Sequence, residues 1–98
     1  MSLVDEKLYE FATRYCWDMD PSQASQQKDR VILRVMDLGV WNDVLDLEQT
    51  FRPSELRRIL QNAPAGAMRP RSWYFWHYRL KLANADKEPP EPPMRRVA

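Results

Sequence analysis

Val31-Ile32-Leu33-Arg34-Val35-Met36-Asp37-Leu38-Gly39-Val40-Trp41-Asn42-Asp43-Val44-Leu45-Asp46-Leu47-Glu48-Gln49-Thr50-Phe51 is the stretch on which the fold turns. Val31, Ile32, Val35 and Leu38 repeat at helical spacing, and Gly39 then stands where the chain has to leave the helix. A glycine there suits the left-handed conformation often found just past a helix C-terminus. Asn42 offers a side-chain oxygen for a new start, and Asp43 lies where the positive end of the next helix dipole favours an acid. Val44, Leu47 and Phe51 form the buried face of this next helix, with Trp41 and Leu45 at its margin.

The flanks carry the same periodicity. From Asp5 to Cys16, the apolar residues Leu8, Phe11, Ala12 and Tyr15 fall on one helical face, while Glu6, Lys7, Glu10 and Arg14 face water. Between the two segments, Asp20 before Pro21 is one possible helix start and Ser25 after a polar loop is another. Pro53 fits only the first turn of a helix, so a fourth begins near residues 52–54 and turns Leu56, Ile59 and Leu60 inward until Asn62, Ala63 and Pro64 end it. After a loop at 64–71, Trp73, Trp76, Leu80 and Ala83 form the apolar stripe of a last helix capped by Ser72. The expected fold is all-α, a compact bundle of about five short helices over residues 1–83. A disordered Pro-rich C-terminal tail is expected over residues 84–98.

Composition agrees and excludes much else. The chain has 98 residues, one domain's worth, and its two glycines leave little for the turns that join strands. One cysteine, Cys16, makes neither an internal disulfide nor a zinc site, so packing must hold the fold. No apolar run approaches the roughly 20 residues of a membrane span, and the N-terminus turns acidic at once, so a cytoplasmic protein is expected.

Charge is balanced in total, 15 bases against 14 acids, but not along the chain. Residues 1–51 carry a net charge of −5, residues 52–81 carry +6, and the tail is neutral. Two readings stay open: the dipole steers an anionic partner toward the fourth and fifth helices, or the two halves attract one another inside the fold. The run Arg69 to Arg79 places five aromatic residues and His77 in six consecutive positions, 73–78. Successive helical residues fan out by about 100°, so only part of that run can enter one core. Aromatic rings flanked by arginine suit a protein-binding surface, a stacking platform for single-stranded nucleic acid, or a ring-rich core.

Trp17-Asp18, the Val31-Ile32-Leu33-Arg34-Val35-Met36 helix, the Gly39, Trp41 and Asp43 set, and the late Trp76 resemble small bacterial proteins of unassigned domain type. The resemblance covers residues 16–78; Met36 stands where leucine is usual, and the tail has no counterpart. Members of that group are often encoded beside nucleotidyltransferase toxins of the abortive-infection type, which implies an antitoxin-like role. The matched residues are Trp17, Asp18, Arg34, Gly39, Trp41, Asp43 and Trp76, and each also has a structural explanation. Trp17 and Trp41 are expected at corners of the core, Asp18 or Asp20 as a helix cap, and Arg34 in an ion pair with Asp18 or Asp43.

Catalytic chemistry lacks convergent groups. His77 is the only imidazole, no glycine-rich loop is present, and no nucleophile and base are visibly paired, so no enzyme, cofactor or metal is expected. A helix-turn-helix reader would use the helix after Gly39 for recognition, yet Asp43, Asp46 and Glu48 there would be repelled by phosphates. The expectation is a protein-binding module, the partner of a nucleotidyltransferase toxin, with Arg57, Arg58, Arg69, Arg71, Tyr74, Tyr78 and Arg79 as its contact face. The alternative is a small nucleic-acid-binding regulator using the same basic and aromatic helices.

Overall fold

Val31, Ile32, Leu33, Val35 and Met36 are all buried, wider than the single stripe a surface helix needs, because their helix lies at the centre. The structure, a computed structural model, describes residues 2–93. Its helices are α1 (Leu3–Tyr15), α2 (Lys28–Leu38), α3 (Trp41–Thr50), α4 (Pro53–Gln61) and α5 (Pro70–Arg79), with a 3₁₀ segment (Pro21–Gln27) leading into α2. α2 packs against every one of the others. Around it close Leu8 and Phe11 from α1, Leu47 from α3, Leu56, Ile59 and Leu60 from α4, and Trp76 from α5. Each such side chain contributes on the order of 1.5–3 kcal/mol by leaving water.

The helix starts follow local chemistry. Ser2 caps α1, its Oγ accepting from the Asp5 amide at 3.1 Å, and the helix begins at Leu3, two residues before the expected start at Asp5. Asp20 caps the 3₁₀ segment by accepting from the Ser22 amide and hydroxyl. Those two bonds hold its carboxyl below the usual range. Pro53 opens α4 and Pro70 opens α5, each at a position where the missing N–H costs nothing.

Three expected caps take another form. Asn42 does not start α3; the helix begins at Trp41, and the Val40 carbonyl accepts from the Asp43 and Val44 amides. Ser72 lies inside α5 rather than before it and donates to the Asp37 carbonyl. Gly39 is extended (φ −62°, ψ 138°), not left-handed. Its lack of a side chain matters for space instead, because a Cβ at Gly39 would stand 2.4 Å from the Val35 carbonyl oxygen.

The end of α2 is closed by α5. A helix leaves its last four carbonyls without partners of its own. Gly39 N–H takes that of Val35; the Trp76 indole N–H donates to Met36 O at 2.8 Å; and Arg69 and Ser72 donate to Asp37 O at 2.8 and 3.1 Å. The guanidinium of Arg69 also meets the Asp37 carboxylate at 3.1 Å, at the negative end of the α2 dipole. This set of bonds fixes where α5 docks.

α5 ends in its own closed turn. Leu82 N–H bonds back to His77 O and Lys81 N–H to Tyr78 O, the paired pattern of a left-handed helix terminus, and Lys81 is left-handed at φ 61°. Arg57 from α4 donates to Leu80 O at 2.8 Å and pins that end.

Three of the seven basic residues in 52–81 meet acids of the N-terminal half. Arg58 pairs with Asp29, Arg69 with Asp37 and Arg79 with Glu48, while Lys28 meets Glu55 in the reverse sense. Within the N-terminal half, Lys7 binds Asp46 at 2.7 Å, and Arg14 and the Tyr15 hydroxyl both donate to the buried carboxylate of Asp43. Asp43 is therefore an internal acceptor joining α1 to α3 as well as an acid in the first turn of α3.

Residues 84–93 of the expected tail carry no helix, yet they are held on the body. Asn84 and Lys87 exchange backbone hydrogen bonds in a tight turn, after which Pro90 O and Pro93 O accept from Trp73 Nε1 and Gly66 N. The turn returns 84–93 to α5. The rest of that tail, 94–98, lies outside the described residues.

Candidate protein-binding surface

The 100° step of α5 divides its aromatic run. Trp73, Trp76, His77 and Leu80 turn inward and are buried, and Tyr74, Phe75, Tyr78 and Arg79 turn outward. Tyr74 is 38% exposed, Phe75 44% and Tyr78 49%. On α3 the face flanking Val44 and Leu47 presents Trp41, 53% exposed, with Leu45 and Glu48 one and two turns on.

Arg79 joins the two helices. Its Nε and NH2 each donate to a Glu48 oxygen at 2.6 Å, and its guanidinium carbon lies 4.8 Å from the Trp41 ring centre and 5.8 Å from that of Phe75. The hydrogen bond to Glu48 holds the Arg79 charge above its already basic range. Phe75 meets the buried Trp76 edge to face at 5.4 Å, so its ring is braced from below. The result is a pre-arranged cluster of two half-open rings around a neutralised guanidinium. Little side-chain entropy is left to lose when a partner covers it.

The sequence-derived contact face does not come together as expected. Arg57 is engaged with Leu80 O, Arg58 with Asp29, Arg69 with Asp37 and Arg79 with Glu48, so four of its five arginines are consumed by internal bonds. Arg71 is exposed and makes no ion pair among the described residues, and Tyr74 and Tyr78 stay open. Sequence reasoning missed Trp41, Phe75 and Glu48 as members of the cluster. The signal was present in the spacing of Trp41, Leu45 and Glu48, which repeats a second face on α3 away from the core.

The motif residues separate by role. Trp76 is fully buried and Asp43 nearly so, whereas Trp17 is 76% exposed. The expectation that Trp17 and Trp41 fill corners of the core is therefore wrong: each ring lies outside, covered on one side by an arginine, Arg34 at 5.7 Å and Arg79 respectively. Arg34 reaches Asp18 only at 3.8 Å, because Arg30 holds that carboxylate and Asp43 is taken by α1. Asp18, Arg30 and Arg34 border a groove of about 770 Å³ floored by Leu33 and Ile59.

The groups that could support chemistry are turned inward. His77 is buried, with Nδ1 2.8 Å from Trp73 O, an acceptor, so Nδ1 carries the proton and donates. Burial pushes the Cys16 thiol up, away from the reactive thiolate. Among the described residues no group of three or more His, Cys, Asp and Glu is placed to hold a metal, and no helix is long and apolar enough to cross a membrane. No family model, curated protein or solved structure matches the chain.

Proposed function

We propose that this chain is a non-catalytic protein-binding module that docks a partner on the cluster of Trp41, Phe75, Tyr78 and Arg79. The observation that carries the reading is the Arg79 guanidinium, already satisfied by Glu48 and faced by two half-exposed rings. Aromatic and arginine anchors that are pre-positioned and neutral overall are what a desolvated contact requires. In the finer form of the proposal, drawn from the motif resemblance, the partner is a nucleotidyltransferase toxin and this chain is its antitoxin-like companion. A cytoplasmic setting belongs to the same proposal, and the free, buried Cys16 suits it.

Co-expression with such a nucleotidyltransferase, followed by size exclusion and titration calorimetry, tests it. Trp41→Ser and Phe75→Ser are each expected to weaken the complex by about 2 kcal/mol or more, roughly 30-fold, as central anchors do. Arg58→Glu, away from the cluster, is expected to leave it intact. Binding untouched by both ring substitutions would remove this surface from consideration.

The nucleic-acid reading is disfavoured by the same geometry. Arg58, Arg69 and Arg79 face carboxylates that a phosphate would have to displace. A gel shift with generic DNA and RNA at 50 and 200 mM salt separates the two. Engagement of six phosphates demands a loss on the order of 10³-fold across that range.

A further inference from the structure

Residues 88–93 read Glu-Pro-Pro-Glu-Pro-Pro, a strict repeat of three. Proline fixes its own φ near −65° and pushes the residue before it into extended backbone, so this sequence favours the polyproline II helix, which has three residues per turn. Positions three apart then share one face. The structure bears that period. Pro90 and Pro93 are the two residues whose carbonyls accept from the body, from Trp73 Nε1 at 2.8 Å and from Gly66 N at 3.3 Å. Pro89 and Pro92 are the two partly buried positions, and Glu88 and Glu91 are exposed.

The surface beneath has the composition that extended prolines recognise. Trp73 supplies an indole N–H, Tyr74 a half-exposed ring, and Met68 and Pro70 apolar walls. The prolines of the strap do not fill this groove. About 540 Å³ stays open between Pro92–Pro93 on one side and Met68, Pro70 and Tyr74 on the other. Arg71, next to Pro70 in the sequence, is exposed and makes no ion pair among the described residues. A tryptophan N–H on a proline carbonyl, with aromatic and proline walls around it, is the physical basis of proline-rich segment recognition in general.

We infer that the seat of the strap, made by the Trp73 indole N–H and the adjoining groove lined by Met68, Pro70 and Tyr74, is a binding site for a proline-rich, glutamate-flanked segment of a protein partner, which competes with the chain's own strap at 88–93. One side-chain hydrogen bond from Trp73, one backbone hydrogen bond from Gly66 and two partly covered prolines hold the strap, so its tether supplies much of its occupancy. A flexible connection of this kind corresponds to an effective concentration on the order of millimolar, which a partner segment has to exceed. The exposed glutamates of the strap set the charge preference, and Arg71, which makes no ion pair among the described residues, matches it in sign. This site is separate from the Trp41 and Phe75 cluster, and its test does not depend on that reading.

The experiment uses the full chain with Pro89, Pro90, Pro92 and Pro93 all replaced by serine, and a capped synthetic peptide of residues 87–93 as the probe. In ¹H–¹⁵N spectra each of the four tryptophans gives one indole signal. The replacement is expected to move the Trp73 indole signal, and the peptide to return it toward its position in the unaltered protein. The unaltered protein is expected to bind the peptide at least 10-fold more weakly than the replaced one. In the replaced background, Trp73→Phe, which keeps a ring but lacks the N–H, is expected to weaken peptide binding 5-fold or more while circular dichroism stays unchanged. Tyr74→Ser gives a second test at an exposed position that leaves the core alone, with weakening of the same order expected.

Equal binding to the replaced and unaltered proteins would overturn the inference, as would a peptide with alanine for proline that binds as well as the native one. So would no binding at all. Concentration-dependent dimers of the unaltered protein, with the Trp73 signal unchanged from monomer to dimer, would assign the groove to strap exchange between copies and overturn it as well.

Discussion

Replacing Trp76 with phenylalanine probes the contact that seats α5 on the rest of the molecule. Trp76 is fully buried, and its indole N–H is the donor at 2.8 Å to Met36 O, a carbonyl at the end of α2. Phenylalanine keeps the six-membered ring but removes the pyrrole portion and the donor. The lost apolar burial, equivalent to about two methylenes, costs about 1.5–2 kcal/mol at roughly 0.8 kcal/mol each. The orphaned buried carbonyl adds about 1–3 kcal/mol. Together they predict a loss of about 2.5–5 kcal/mol, against a total stability on the order of 5–15 kcal/mol for a domain of this size. With a urea m-value of about 1.5 kcal/mol/M, the unfolding midpoint should fall by about 1.7–3.3 M. Chemical denaturation followed by circular dichroism measures it. A midpoint shift below about 0.7 M would mean that the carbonyl finds another donor at no cost, and the account of how α5 closes α2 would be wrong.

Four further perturbations have signs set by the geometry. Lys81→Gly should raise stability by about 1 kcal/mol, because Lys81 holds a left-handed φ of 61° that glycine adopts freely; calorimetric melting reads this as a higher Tm. Gly39→Ala should lower it by about 1–2 kcal/mol, since the clash with Val35 O outweighs the smaller gain from a stiffer unfolded chain, and urea unfolding decides the sign. Burial, then the hydrogen bond to Asp43, holds the Tyr15 phenol above its ordinary 10.0. Stability from neutral Tyr15 is therefore full below pH 10 and is lost as pH rises through the folded value. Tyr15→Phe should flatten the drop between urea midpoints at pH 9 and pH 11. The Asp5 carboxyl is held below its ordinary 3.8, first by the Ser25 hydroxyl and then by Ser2. Its contribution is present above pH 3.8 and lost as pH falls through the folded value. Ser25→Ala should therefore shallow the acid limb of a stability–pH series below pH 4.

The helices were legible because their apolar residues keep one spacing. Leu56, Ile59 and Leu60 on α4, and Trp73, Trp76, Leu80 and Ala83 on and just after α5, are buried as the periodicity requires. Caps were less legible where the partner is remote. Gly39 matched the local rule for a helix end, but the donors that close α2 come from Arg69, Ser72 and Trp76, 32 to 40 residues away. Local rules cannot see such a partner.

Charge taught a similar lesson. The sums over residues 1–51 and 52–81 show opposite signs, but whether Arg58 meets Asp29 or solvent depends on how α4 lies beside α2. The arginines therefore carried two meanings until the packing chose one. Among the rings, the fan of α5 predicted that some had to be outside. Which ones formed a cluster required Trp41, contributed by a helix whose own core face is Val44 and Leu47.

The closure of α2 by α5 has a consequence during translation. Met36 leaves the ribosome's catalytic centre forty residues ahead of Trp76. At roughly 5–20 residues per second, that interval is on the order of 2–8 seconds. Throughout it the nascent chain carries a central helix with an unfinished terminus and a core lacking its largest ring. Folding to completion therefore waits for the last helix to emerge, and a product released early keeps its apolar interior open to chaperones and proteases.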